Sequence, residues 1–199
     1  MQLILISSPK DVADESQIIN DLFAIGLTRF HLRKPDSSIA QVSALLDLIH
    51  PAFYHRIALH QHHGLAKAYG IKRLHFTEQV RKHTGENILT DHTSNGHQLS
   101  TSIHDVQNIS VLSHFEYVFY GPIFNSLSKP GYQAVNRPNF QPGKLGALPR
   151  VIALGGIELS NLKTVQAMGF DGAGVLGTIW NHPDKAVQTF KRLQANVPV

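Results

Sequence analysis

Short runs rich in β-branched, aromatic and other apolar residues recur along the chain. They fall at Leu3–Ser7, Thr28–Arg33, Arg56–His60, Arg73–Phe76, His97–Ser102, Tyr117–Tyr120, Arg150–Leu154 and Gly172–Leu176. Each has the length and residue bias of a strand. Most are followed by a stretch of helical pattern: Glu15–Ile25, Ser38–Ile49, His63–Tyr69, His104–Leu112, Leu159–Met168 and Pro183–Leu193. In the second of these, Leu45, Leu46, Leu48 and Ile49 carry the i, i+3, i+4 grouping of an amphipathic helix. Two intervals break the rhythm. Thr77–Asn95 is polar and rich in turn formers, with no clear helix, and the sixth strand is followed by a long loop, Gly121–Pro138.

Strands that alternate with helices pair in parallel through right-handed crossovers. Eight such units predict an α/β fold closed on itself, a single (β/α)8 TIM barrel spanning 1–199. A doubly wound open sheet is the competing architecture, but it normally opens on a glycine-rich first turn. Here the first strand runs into Ser7-Ser8-Pro9-Lys10. In a barrel the chemistry belongs to the loops after the strands, at the C-terminal face.

Composition narrows the classes. At 199 residues there is room for one core, and 42% hydrophobic with 16% charged residues fits a soluble globular protein. No apolar run is long enough to cross a bilayer, so no membrane role is expected. The apolar start, Met1–Ile6, lacks a basic flank, and Lys10, Asp11, Asp14 and Glu15 follow at once, which reads as a strand and not a signal peptide. The absence of cysteine excludes disulfides, zinc–thiolate sites and thiol nucleophiles, and agrees with a cytoplasmic location. The net charge of +4 is scattered, which suits an anionic small molecule and argues against a nucleic-acid surface.

Glycines mark the last two strand ends. The seventh strand closes Ala153-Leu154-Gly155-Gly156-Ile157, and the eighth runs from Gly169 through Gly172 and Gly174 to Leu176-Gly177. Paired glycines let backbone N–H groups approach an anion, and barrels often seat a phosphate between these two loops. Gly155, Gly156, Leu176 and Gly177 are therefore the candidate phosphate-binding positions.

Further anchors lie on the other strand ends. They are His31-Leu32-Arg33, Leu65-Ala66 ahead of Arg73–Phe76, and Ser102-Ile103-His104. Then come Gly121-Pro122-Ile123-Phe124 with Ser126, Ser128 and Lys129, Ala153–Ile157 and Gly169–Ile179. On these motifs the chain resembles the thiamine phosphate synthase and thiazole tautomerase (TenI-like) superfamily, from about residue 3 to about residue 193. The resemblance implies a small-molecule partner, a phosphorylated thiazole, and leaves a homodimer open. It implies two reactions. The synthase joins a pyrimidine pyrophosphate to a thiazole phosphate with Mg²⁺, which takes oxygen ligands. Its Asn-Asp pair on the third strand matches His60 and Gln61 here, and its second aspartate falls near Val80, with Glu78 close by. Its second-strand lysine is replaced by Pro35.

The tautomerase moves one proton and needs no metal or other cofactor. It resembles this chain at His31-Leu32-Arg33 and at Ser102-Ile103-His104, whose histidine is the acid–base residue. The reading placed first is the tautomerase type, an isomerase with His104 as catalytic base. The alternatives are a divergent Mg²⁺-dependent synthase and a non-catalytic thiazole phosphate-binding homologue. Substrate contacts are expected from His31, Arg33, His60, Ser102, Ser126, Ser128 and Lys129.

Residue chemistry adds its own expectations. Ser102 and Asp105 have capping-box spacing, which places His104 in the first turn of a helix whose dipole favours neutral imidazole. Arg33 faces the pocket as a carboxylate clamp, and Lys34 alternates outward into solvent. His60 and His62 form a His-x-His at a strand end, a spacing that suits zinc. No third ligand stands out, so no metal is expected. His75 reads equally as a core residue or a ligand contact.

Overall fold

The computed structural model describes residues 1–105, 109–124 and 149–197. Eight parallel strands close into a barrel in chain order, β1-β2-β3-β4-β5-β6-β7-β8. They are β1 (Gln2–Ile6), β2 (Phe30–Leu32), β3 (Ile57–Leu59), β4 (Arg73–Phe76), β5 (Gln98–Ile103), β6 (Phe115–Tyr120), β7 (Arg150–Leu154) and β8 (Gly172–Val175). Leu3 opposite Ala173 and Leu5 opposite Val175 complete the ring between the first and last strands. Outside it lie α1 (Glu15–Ala24), α2 (Ile39–Asp47), α3 (Leu65–Tyr69), α4 (Glu78–His83), α5 (Glu86–Ser94), α6 (Leu162–Ala167), α7 (Gly177–Trp180) and α8 (Ala186–Asn196). No described helix is long and apolar enough to cross a membrane.

Strand alternation sorts the core into two shells. Outward residues such as Leu3, Leu5, Phe30, Leu32, Leu59 and Leu74 pack with the helices, where Ile19, Leu22, Phe23 and Leu46 are fully buried. Each buried aliphatic side chain of this kind stabilises the fold by about 1.5–3 kcal/mol. Inward residues Ile4, Ile6, Tyr117, Phe119 and Ile152 fill the barrel itself. Buried polar side chains share the strands with them: His31 on β2, His75 on β4 and Ser100 on β5. At the opposite end of the strands, Glu116 takes Arg73 Nη1 and Arg150 Nη2, each at 2.6 Å, and ties β4, β6 and β7 together.

Three expectations are corrected. First, the polar stretch after β4 is helical twice over, as α4 and α5. The α4 helix buries no side chain at all and α5 buries only Leu89, so neither has an apolar stripe to read. The α4 helix is held instead by its cap, where Thr77 Oγ1 accepts from Val80 N at 3.2 Å, and by the Glu78–Lys82 pair at 2.8 Å. Second, no α-helix starts at His104. The next described element is a single 3₁₀ turn, Ile109–Val111, with Ile109 at its start and Leu112 just past its end both buried. Ser102 ends up in β5, not at a cap. Third, Lys34 does point outward from the barrel but is buried. The outer face of a closed barrel is covered by helices, so both faces of a strand are enclosed. Lys34 Nζ donates to Glu15 Oε2 at 2.6 Å and to the Lys10 carbonyl at 2.8 Å.

Candidate active site

The strand ends bring most of the expected residues to the C-terminal face. The loop after β6 and the loop after β7 interlock there: Ile123 N donates to Leu154 O at 2.9 Å and Phe124 N to Gly155 O at 3.1 Å. This explains two glycines at once. A Cβ on Gly121 would lie 2.1 Å from the Leu154 carbonyl oxygen, and one on Gly155 would lie 2.8 Å from Pro122 Cα. Gly155 (φ 96°) and Gly156 (φ 63°) are both left-handed, so the chain turns sharply out of β7 on two residues that L side chains avoid. Across from them Leu176 follows β8 and caps α7, which Gly177 opens and whose first N–H groups have no partner within the helix. The short helix is fixed to the barrel by Trp180 Nε1, which donates to the Ile6 carbonyl at 2.7 Å.

Arg33 follows β2 directly. Its backbone is clamped by Ser7, whose Oγ accepts from Arg33 N at 2.8 Å and donates to Arg33 O at 2.9 Å. Its positive charge adds to burial in holding His60 and His75 down.

His104 stands beyond β5 with 58% of its side chain exposed. Its Nδ1 contacts the carboxylate of Glu78, so Glu78, and not a helix dipole, sets which ring nitrogen is free. Burial alone would raise the Glu78 carboxyl, but its bonds with His104 and Lys82 outweigh that and hold it below the usual carboxylate value. Ser126, Ser128 and Lys129 lie outside the described residues.

The histidines sort differently from their sequence spacing. His62 turns away and shares Nε2 with the Ser37 carbonyl at 2.9 Å, on a left-handed backbone (φ 53°). His63 Nε2 bonds the carbonyls of Leu59 and His75. His60 instead joins His31 and His75 inside the barrel. His31 Nδ1 meets His60 Nε2 at 2.8 Å, and His31 Nε2 meets the Tyr117 hydroxyl at 2.6 Å. His75 sits between Ser100 Oγ at 3.0 Å and Ser102 Oγ at 3.1 Å. Burial, reinforced by neighbouring imidazoles, pushes His31 and His60 well below the ordinary histidine value, and His75 down to about 3. All three rings are neutral at physiological pH. The sequence does carry a signal for this group: His31 and Arg33 are two residues apart on one strand, so they share a face.

The pattern of the thiamine monophosphate synthase (TMP-TENI) family matches residues 3–179. The chain belongs to that family. A thiamine-phosphate synthase of Lysinibacillus sphaericus is 33% identical over 101 residues, 48% of this chain and 47% of that protein, so the match spans about half the length of the curated relative. Among solved structures, a thiamine phosphate pyrophosphorylase from Bacteroides thetaiotaomicron is 28% identical, with a TM-score of 0.77 over 98% of this chain and 97% of its own. A thiamine phosphate pyrophosphorylase from Pyrococcus furiosus superposes at 0.78 with 13% identity, over 98% and 95% of the two chains. At that identity the likeness speaks to the barrel alone.

Within the TMP-TENI frame the donors for a hard cation are poor. At the ends of β3 and β4 the described oxygen donors are the Gln61 amide and the Glu78 carboxylate. Gln61 Oε1 accepts from Lys34 N at 3.2 Å, and Glu78 is taken by His104 and Lys82. Mg²⁺ needs free carboxylate oxygens, so these residues do not fit it, and the nitrogen-rich interior beside them fits it less.

Proposed function

We propose that this chain is a thiamine-biosynthesis enzyme that holds a phosphorylated thiazole across the C-terminal face of its barrel. The phosphate would lie against the backbone of Gly155, Gly156, Leu176 and Gly177, with Arg33 supplying charge from the second strand. The reaction with most support from relatives is the synthase coupling: the thiazole nitrogen bonds the pyrimidine methylene and pyrophosphate leaves. The observation that carries this reading is the family match over 3–179, together with relatives named for that reaction. The misfit of the described donors to Mg²⁺ means that no step is assigned to a metal here. The chain's own contribution is to position both ring systems and to meet anionic groups with Arg33 and backbone donors.

A second reading, proton transfer within a thiazole carboxylate phosphate, is favoured by one specific contact. Glu78 engages His104 Nδ1, leaving Nε2 facing outward as an acid–base group on a partly exposed ring, the arrangement of an oriented histidine base. Ser126, Ser128 and Lys129 would serve the carboxylate in this reading.

One experiment separates the readings. Purified protein is given the pyrimidine pyrophosphate, the thiazole carboxylate phosphate and Mg²⁺, and both thiamine phosphate formation and thiazole isomerisation are followed. Coupling supports the first reading. Isomerisation that is lost in His104→Gln, with thiazole phosphate binding retained, supports the second. Binding with neither reaction identifies a non-catalytic homologue, and no binding overturns the assignment.

A further inference from the structure

Barrel interiors of this kind are normally packed with branched apolar side chains. This one encloses three imidazoles. His31 comes from β2, His60 from the end of β3 and His75 from β4, and one ring nitrogen from each lies within 4.8 Å of the other two. The rings of His60 and His75 stack at 3.9 Å, and His31 stands edge-on to them at 5.0 and 5.3 Å. Their protein contacts do not satisfy them. One proton serves the His31 Nδ1–His60 Nε2 contact, and His60 Nδ1 is left buried with no hydrogen-bond partner among the described residues. That unpaired nitrogen is a cost the fold carries whether or not His60 Nε2 takes a metal.

We infer that His31, His60 and His75 form a site for one borderline divalent transition-metal ion, with Zn²⁺ the reference case, leaving one coordination position for water or a ligand oxygen. Four observations converge. Three neutral nitrogen donors with an open fourth position are the ligand set of zinc sites that bind exchangeable oxygen, and nitrogen donors select against Mg²⁺ and Ca²⁺. The spacing is near what a metal requires. Zn–N bonds of 2.0–2.1 Å in a tetrahedron separate the nitrogens by roughly 3.3 Å, so the 2.8 Å His31–His60 contact opens by about half an ångström, the other pairs draw in from within 4.8 Å, and the stacked rings of His60 and His75 turn so that both lone pairs meet the ion. Outer partners are in place for two of the three ligands: Tyr117 on the far nitrogen of His31, and Ser100 or Ser102 on whichever nitrogen of His75 the metal leaves, while His60 Nδ1 has none among the described residues. Finally, His60 is the least buried of the three and so gives the ion a way in.

The proton balance is simple. For His31 Nδ1 and His60 Nε2 both to bind metal, the one proton between them moves to the far nitrogen of whichever ring carries it. That nitrogen is His31 Nε2, facing Tyr117, or His60 Nδ1. No net proton is released. The site takes in His31 and His60, which are also expected substrate contacts, but its ligand set is the same whichever thiazole reaction the protein performs.

The test uses the whole chain, stripped with chelator and titrated with Co²⁺ alone. We expect the intense visible ligand-field bands of four- or five-coordinate Co²⁺ to saturate at one ion per chain, and Zn²⁺ to abolish them. X-ray absorption of the zinc form should show three imidazoles. His60→Ala, at the accessible edge of the group, should weaken binding by about 100-fold or more, and Tyr117→Phe by about 10-fold. His62→Ala, whose ring faces Ser37, should change nothing. The chain has thirteen histidines, so adventitious surface binding is the outcome to exclude. Absence of the bands in the wild-type protein, fewer than three imidazoles in the absorption spectrum, or bands unchanged in a folded His60→Ala variant would each overturn the proposal.

Discussion

His104 Nδ1 rests against the carboxylate of Glu78, although the two residues belong to loops after different strands. Glu78 reaches that position as the first residue of α4, a helix without a buried side chain. The contact therefore depends on a cap at Thr77 and a salt bridge to Lys82 more than on packing. If proton transfer is the reaction, Glu78 is a positioning residue that works through His104.

Glu78→Gln tests that dependence. An amide can still hydrogen-bond the ring but cannot stabilise it once protonated. Isomerisation should fall roughly 10-fold or more with KM little changed, while His104→Gln should cost about 10²–10⁴-fold. An unchanged kcat in Glu78→Gln would remove Glu78 from the mechanism.

Gly155→Ala should cost both stability and phosphate binding. The new methyl meets Pro122 at 2.8 Å and the backbone must hold φ near 96°. Left-handed strain of this kind costs about 1–3 kcal/mol, and overpacking adds about as much. A urea midpoint equal to that of the wild type would show that the interlocked loops relax freely.

The fold was largely legible because strand alternation and glycine punctuation are local signals. All eight strands lie where the residue pattern puts them, within a few positions at the ends. What escaped were features set by tertiary context. α4 and α5 have almost no apolar face. The turn at Ile109–Val111 uses an i, i+3 spacing that reads equally as α-helix. The histidine group joins positions 29 and 44 residues apart, and only strand parity connects them: His31 lies two before Arg33, His60 ends a strand, and His75 shares its face with Ser100 and Ser102 across the ladder. His62 looked like the partner of His60 by spacing, but the backbone reverses there. Alternation alone makes Lys34 look solvated, because it gives the direction of a side chain and not what covers it.

Lys34 and Glu15 offer a double-mutant test of that buried pair. Their side chains are 3% and 7% exposed. Burial raises the Glu15 carboxyl even though Lys34 pulls it down, which shows how much desolvation the pair bears. Lys34→Met leaves Glu15 without its cation and should cost about 3–5 kcal/mol, whereas Lys34→Met with Glu15→Leu should recover most of it. Losses in the double variant equal to the sum of the singles would mean that the two side chains act independently.

Acid should destabilise the metal-free protein before its carboxylates begin to titrate. An unfolded histidine titrates near 6.5, whereas His75 in the fold is pushed down to about 3, mainly by burial, and His31 and His60 move the same way. Between those limits the unfolded state holds protons that the native state does not. Stability therefore rises with pH throughout that window and falls as pH drops from about 6.5. His75 alone contributes up to about 1.4 kcal/mol per pH unit. Most ordinary carboxylates are still ionised at pH 5.5, so a decline between pH 7.5 and 5.5 reports mainly on histidines. Urea denaturation in chelator at pH 7.5, 6.5 and 5.5 should show a midpoint that falls modestly over the first interval and about three times as steeply over the second. A folded His75→Asn variant should flatten the second interval by about the share of one histidine. A wild-type midpoint unchanged down to pH 5.5 would mean that these rings accept protons without unfolding, and that the barrel interior is far wetter than its burial indicates.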